Sequence, residues 1–247
     1  MYKPLVSIII PYYNGGAFVA QTLSSAISQT YENTEIIIVD DGSREALSVE
    51  IFNKIEHPKV KKYRTINQGL AMARNTAISM ASGEIILPLD CDDLISNSYV
   101  EEAVSEFAKN DEVGIVYSHA CFFGLVNQYW DLPEFRMPDF LVNNCIFSAA
   151  LFRREDWVRA GGYKSDMKYG LEDYDFWLSL VGFGRKVVRL PKIHFFYRKH
   201  GSSMIARITA DQMDYLYKTI VERHKDLYHR NTLNLISKVN SLQKNIQ

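Results

Sequence analysis

The sequence predicts an α/β fold, a mostly parallel sheet flanked by helices with a helical tail at the carboxyl end. Three observations carry this. Short apolar, β-branched runs alternate with helix-length segments through the first half, the pattern of βαβ units. Three of the first four strand-like runs end in polar clusters, Tyr12-Tyr13-Asn14, Asp40-Asp41 and Asp90 to Asp93, and parallel strands bring such ends to one edge. The composition, 47% hydrophobic and 23% charged over 247 residues, is that of a soluble globular chain able to bury a sizeable core.

In order, Leu5 to Ile10 reads as a strand stopped by Pro11, and Asn14-Gly15-Gly16 as a turn before a helix carrying Val19, Leu23, Ala26 and Ile27. Glu35 to Val39 is a second buried strand, followed by a helix from about Arg44 to Ile55. Val60 to Thr65 is a weaker strand, and Asn67-Gln68-Gly69 opens the next helix. Ile85 to Leu89 is the fourth strand. Ser98 and Glu101 have capping-box spacing ahead of Val100, Ala103, Val104 and Phe107. Strands are then expected at Val113 to Tyr117, Phe122 to Trp130 and Ile146 to Phe152. Arg154 to Ala160 is a helix closed by Gly161-Gly162. After Gly170 to Asp175, Phe176, Trp177, Leu180 and Val181 recur at helical spacing, Lys186 to Leu190 and Ile193 to Tyr197 form a hairpin across Pro191-Lys192, and a terminal helix starts near Ile208.

The formal net charge of -1 supplies no basic field for nucleic acid. Three scattered cysteines, Cys91, Cys121 and Cys145, argue against a zinc site or a disulfide framework. The amino terminus runs directly into a strand, leaving no room for a signal peptide, and no apolar run approaches the roughly 20 residues of a membrane span. A cytoplasmic protein is expected. The terminal helix leaves three contacts open: its own domain, a second copy in a homodimer, or peripheral association with the inner membrane face. Its mixed-charge polar face favours protein.

The chemistry centres on Ile85-Ile86-Leu87-Pro88-Leu89-Asp90-Cys91-Asp92-Asp93. If the chain stays extended through Asp92, Asp90 and Asp92 share one side and Cys91 takes the other. Two such carboxylates repel unless a cation lies between them, and the carboxyl ends of strands in an open sheet are where ligands bind. A divalent metal carrying a phosphorylated ligand fits this stretch. A turn whose aspartates cap the next helix fits it too, although Ser98 gives that helix a cap of its own. No G-x-G-x-x-G, P-loop or G-x-S-x-G motif is present. A diphosphate in a carboxylate-rich crevice needs a cation, for which Mg²⁺ or Mn²⁺ is the usual solution.

Six ordered motifs resemble family 2 glycosyltransferases of the GT-A fold: Val6 to Asn14 with its P-x-Y-N turn, Ile38 to Ser43, Asn67-Gln68-Gly69 with Ala73-Arg74-Asn75, the D-x-D of Asp90-Cys91-Asp92, Glu172-Asp173, and Tyr197-Arg198-Lys199-His200. The resemblance spans most of residues 5 to 204. It implies a GT-A domain over 1–206, with a nucleotide-binding half to about 117 and an acceptor-binding half beyond, and a helical extension over 207–247. It also implies inverting transfer from a nucleoside-diphosphate sugar, a UDP-sugar above all, to a hydroxyl of a glycan or lipid-linked glycan in polysaccharide or glycoconjugate biosynthesis.

The same resemblance implies the roles. Pro11, Tyr13, Asn14 and Asp40 form the base rim, Tyr13 stacking and Asp40 accepting from an imide N–H, with Arg74 on the base side. Asp90, beside Cys91, takes the ribose hydroxyls. Asp92 and His200 hold Mn²⁺ or Mg²⁺. Asp173 is the general base and Glu172 the fallback. Alone, Glu172, Asp173 and Asp175 read as acids complementing a helix dipole. Pro88 departs from a clean strand and predicts an edge, a bulge, or an unpaired N–H side near the strand's end. Two other classes stay open, a sugar nucleotidyltransferase and a non-catalytic nucleotide-sugar-binding module.

Overall fold

The computed structural model describes residues 3–201 and 208–244; the domain boundary expected at 206/207 lies outside the described residues. Among them, nine strands form one sheet in the order β3-β2-β1-β4-β8-β6-β9-β5, with β7 paired to β6. The first half follows the expected alternation: β1 (Val6–Tyr12), α1 (Val19–Ile27), β2 (Thr34–Asp40), α2 (Ala46–Lys54), β3 (Val60–Arg64), α3 (Leu70–Ser79) and β4 (Ile85–Pro88). All residues of β1, β2 and β4 are buried, which is why they read as unbroken apolar runs: both faces are covered by helices. β1 to β4 are mutually parallel.

β1 lies between β2 and β4, so chain connections leave it in opposite directions and open a crevice at its carboxyl end. The strand does not stop at Pro11. It runs to Tyr12, with Pro11 opposite Val39. Leu89 N–H bonds Ile9 C=O and Asp41 N–H bonds Tyr12 C=O, so by alternation Pro11 faces the β4 side, beyond the last paired residue of β4. Pro88 is explained the same way. Its missing N–H faces β8 (Leu151–Arg153), which meets β4 only at Ile85 and Ile86. Neither proline removes a ladder bond, and both mark where the sheet opens toward the crevice.

The second half is mixed. β5 (Leu94–Ile95), absent from the sequence expectation, pairs antiparallel with β9. α4 (Tyr99–Lys109) has no side-chain cap from Ser98. Ser98 bonds Glu102 instead, Glu101 accepts from Thr30, and Gln29 Oε1 receives the Val100 N–H. Where separate strands are expected at Val113 to Tyr117 and Phe122 to Trp130, β6 (Val113–Gly124) runs unbroken into the second and turns back as β7 (Gln128–Trp130), and only the end of Ile146 to Phe152 becomes β8. The expected hairpin at Pro191-Lys192 is also corrected. β9 (Lys186–Lys199) is one strand, parallel to β6 along its length, and steps from Leu190 opposite Ser118 to Ile193 opposite His119. Pro191 and Lys192 are left unpaired as a bulge.

α5 (Arg154–Ala160) ends on Gly161 at φ 68. α6 (Glu172–Gly182) carries the E-D pair in its first turn. α7 (Ala210–Arg223) and α8 (Lys225–Arg230) dock on their own domain. Leu216, Ile220 and Leu227 are buried, each worth about 1.5–3 kcal/mol. Arg223 and His224 pair with buried Asp175 at 2.9 Å, so that acid anchors the tail as well as beginning α6. α9 (Thr232–Lys244) leaves Leu233, Ile236 and Val239 exposed. No helix among the described residues is long and apolar enough to cross a membrane.

Candidate active site

The acidic stretch is a turn. β4 ends at Pro88, and Asp93 N–H bonds Asp90 C=O at 3.1 Å, so strand alternation does not govern Asp90 and Asp92. They face different partners. Asp90 receives Arg74 Nη2 at 2.8 and 3.0 Å, and Ser148 Oγ at 3.3 Å. Asp92 Oδ2 lies 2.8 Å from His200 Nε2, joining residues 108 apart. The turn is held from outside. Thr22 donates to the carbonyls of Cys91 and Asp93, while Arg198 donates to the Asp92 carbonyl and the Asp93 carboxylate. Cys91 packs under Gly15, where a Cβ would stand 2.5 Å from its sulfur. Any side chain at Gly15 would push the turn out of place.

Arg74, expected beside the nucleobase, makes its contacts with two carboxylates. Its side chain is 1% exposed, and it joins Asp90 to Glu172 of α6. Burial alone would lower its pKa, but the two carboxylates raise it well above its ordinary value, so it stays a cation. The next residue, Asn75, fastens the second half to α3: it accepts from Trp157 Nε1 and Tyr163 N–H and donates to Tyr163 C=O.

Glu172 is buried in its pair with Arg74. Asp173 is only half-buried; its Oδ1 accepts the Tyr174 N–H at 2.6 Å, and no hydrogen bond reaches Oδ2 among the described residues. Burial and the adjacent Glu172 charge push Asp173 up to about 7, against the lowering by Arg74 and the Tyr174 N–H. Among the described residues no hydrogen bond reaches Glu172 Oε2 either, and Asp173 is the less buried of the two acids.

On the opposite rim, Asn14 adopts φ 49 and its Oδ1 accepts the N–H groups of Arg44 and Glu45. Tyr13 is 47% exposed. Asp40 is fully buried; Oδ1 accepts the Ser43 N–H, while Oδ2, 3.2 Å from Arg64 Nε, has no hydrogen-bond partner. Asp41 accepts the N–H groups of Gln68 and Gly69, so it orders the entry to α3. Sequence reasoning missed Arg64, Asp41, Ser148 and Thr22. No spacing signal connects Ser148 with Asp90.

Asp92 and His200 supply one carboxylate and one imidazole. Burial, then the nearby Asp90 charge, holds the Asp92 carboxyl above its usual range despite His200, so the position favours an added cation. Two protein donors with coordination completed by phosphate and water suit Mn²⁺ or Mg²⁺. No group of three or more candidate ligands occurs among the described residues. A cavity of about 540 Å³ beside β9, lined by Lys109, Val113 and Arg185 among others, contains none of these site residues.

The description "Glycosyl transferase family 2" matches residues 7–161. The chain belongs to this family. It is 31% identical over 206 residues to the chondroitin synthase of Pasteurella multocida strain Pm70 and, equally, to a hyaluronan synthase of Pasteurella multocida, covering 81% of this chain. The chain spans 21% of the length of each synthase. An uncharacterized glycosyltransferase of Haemophilus influenzae is 29% identical over 258 residues, 96% of this chain and 77% of the relative. Two structures share the fold: S. aureus TarS 1-349 in complex with UDP-GlcNAc (TM-score 0.67, 18% identity, 85% of this chain and 65% of that one), and the mannosyltransferase PcManGT of Pyrobaculum calidifontis with GDP-Man and Mn²⁺ (TM-score 0.60, 22% identity, 81% and 57%). The fold is therefore the GT-A fold expected from the motifs.

Proposed function

We propose that this family member is an inverting glycosyltransferase. It moves a sugar from a nucleoside-diphosphate sugar, a UDP-sugar in the first instance, to a hydroxyl of a glycan or lipid-linked glycan. The observation that carries the reading is the convergence of three distant segments: Asp90 to Asp92, Glu172-Asp173 and His200, assembled around Arg74. The relatives are named as glycan synthases and the structural neighbours were solved with nucleotide sugars, which supports the same class.

Asp40 Oδ2, buried and in an ion pair with Arg64 but without a hydrogen bond, is suited to the imide N–H of uracil because an ionised carboxylate only accepts. Exposed Tyr13 stacks on that base, and Asn14 and Pro11 shape the turn beside it. Asp90 meets the ribose. Asp92 and His200 hold Mn²⁺ or Mg²⁺, which supplies Lewis-acid stabilisation of the departing diphosphate. Asp173 Oδ2 takes the acceptor proton as the acceptor oxygen bonds to the anomeric carbon. The carbon–oxygen bond to the diphosphate breaks, and its electron pair leaves on the nucleoside diphosphate. Attack opposite that bond inverts the centre. Glu172 is held in its ion pair with Arg74 beside Asp173.

The test is incubation with UDP-GlcNAc, UDP-glucose, UDP-galactose and GDP-mannose plus Mn²⁺, with and without EDTA, reading release of nucleoside diphosphate. Metal-dependent release from one donor is expected. No release from any donor, with pyrophosphate formed instead from a nucleoside triphosphate and a sugar 1-phosphate, would replace this reading with a nucleotidyltransferase.

A further inference from the structure

The β6–β7 hairpin and the end of β9 carry a group of rings that the reaction above leaves unused. Phe122 lies opposite Tyr197, and Ala120 lies opposite both Trp130 and Phe195, so Phe122, Trp130 and Tyr197 share one sheet face. Trp130 stacks on Phe122 with centroids 4.7 Å apart and meets Tyr197 edge-on at 5.5 Å. All three are partly exposed. The row continues inward through Phe147, 6.4 Å from Trp130. The next residue, Ser148, bonds Asp90, the carboxylate that Arg74 ties to Glu172. The rings therefore lead from solvent to the Asp90 end of the site.

Lys199 stands over this group, its ammonium 4.3 Å from the Phe122 centroid and 4.8 Å from that of Tyr197. The residue is half-buried, and among the described residues no carboxylate pairs with it. The ring faces stabilise a cation but do not neutralise it. A partly desolvated charge above an aromatic shelf is a complement to an anion that also has an apolar face. A pyranose has such a face in its axial C–H groups, which pack flat on the electron-rich side of an aromatic ring.

We propose that Phe122, Trp130, Tyr197 and Lys199 form the acceptor subsite, and that it takes a pyranose carrying a negative charge, as a carboxylate or a phosphate. The assignment to the acceptor rests on the transferase reading. The donor takes Asp90, Asp92 and His200, and the aromatic shelf opens next to them beyond Ser148, which leaves it for the second sugar. An ammonium does not distinguish carboxylate from phosphate by geometry, so the experiment separates them.

Binding of methyl β-D-glucuronide, glucose 6-phosphate and neutral methyl β-D-glucoside is measured by titration calorimetry, with and without UDP and Mn²⁺; UDP binding is measured on the same wild-type sample. At least one anionic sugar is expected to bind about fivefold or more tightly than the neutral one, the scale of a partly screened charge contact, and the stronger of the two identifies the anion. Lys199→Met should erase the preference and Lys199→Arg retain it, with melting curves confirming that each variant is folded. Trp130→Phe should weaken all three sugars. Equal binding of the neutral sugar and both anions, a preference that survives Lys199→Met, or no binding of any sugar overturns the subsite. Absence of UDP binding instead sinks the transferase reading, which separates the two failures.

Discussion

The two sides of the crevice hold their acids in different ways. On the β1–β2 side, backbone N–H groups do most of the holding: Asp40 takes Ser43, Asp41 takes Gln68 and Gly69, and Asn14 takes Arg44 and Glu45. Such bonds fix a side chain by the fold of its loops. On the α6 side, Glu172 and Asp90 are balanced by a single buried guanidinium, and Asp173 beside them has one oxygen left open. That arrangement leaves a proton affinity near neutrality, where a general base is most effective. One rim is built to recognise and the other to titrate.

Asp173→Asn separates the rims most sharply. Transfer should fall about 10²- to 10⁴-fold while UDP still binds, read by product formation and by calorimetry on one preparation. Near wild-type turnover would remove Asp173 as the base. Arg74→Met should break the charge balance, leaving Asp90 and Glu172 uncompensated in a buried place. A loss of about 3–5 kcal/mol is expected, seen as a melting temperature lower by roughly 10 °C; an unchanged melt would mean that the acids are not balanced by this residue. Asp41→Ala should cost less, about 1–3 kcal/mol for the orphaned N–H groups. It should weaken UDP binding while the pH dependence of turnover stays where it was. A shifted pH profile in that variant would show that the two rims are not separable.

Much of this was legible from the chain. β1, β2 and β4 are buried on both faces, so their apolar runs stood out, and the family resemblance singled out Asp92 and His200, which lie 2.8 Å apart. What was hidden has physical reasons. Pro191-Lys192 looked like a hairpin turn because a bulge in a continuous strand uses the same residues. Arg74 on a helix reads like any surface arginine until α6 is packed against it. Ser98 had the spacing of a cap, but Gln29, two residues past the end of α1, reached the free N–H of Val100 first. Each miss is a tertiary contact overriding a local signal.

The direct test of the account is the pH dependence of kcat/KM for transfer from the active donor. A base is competent only when unprotonated, and burial with Glu172 places Asp173 at about 7, above the ordinary carboxylate range. Log kcat/KM should therefore rise with unit slope below pH 7 and level off above it. A profile flat between about pH 5 and 8, as expected of an unshifted carboxylate with a pKa near 4, would contradict the placement of the catalytic base at Asp173.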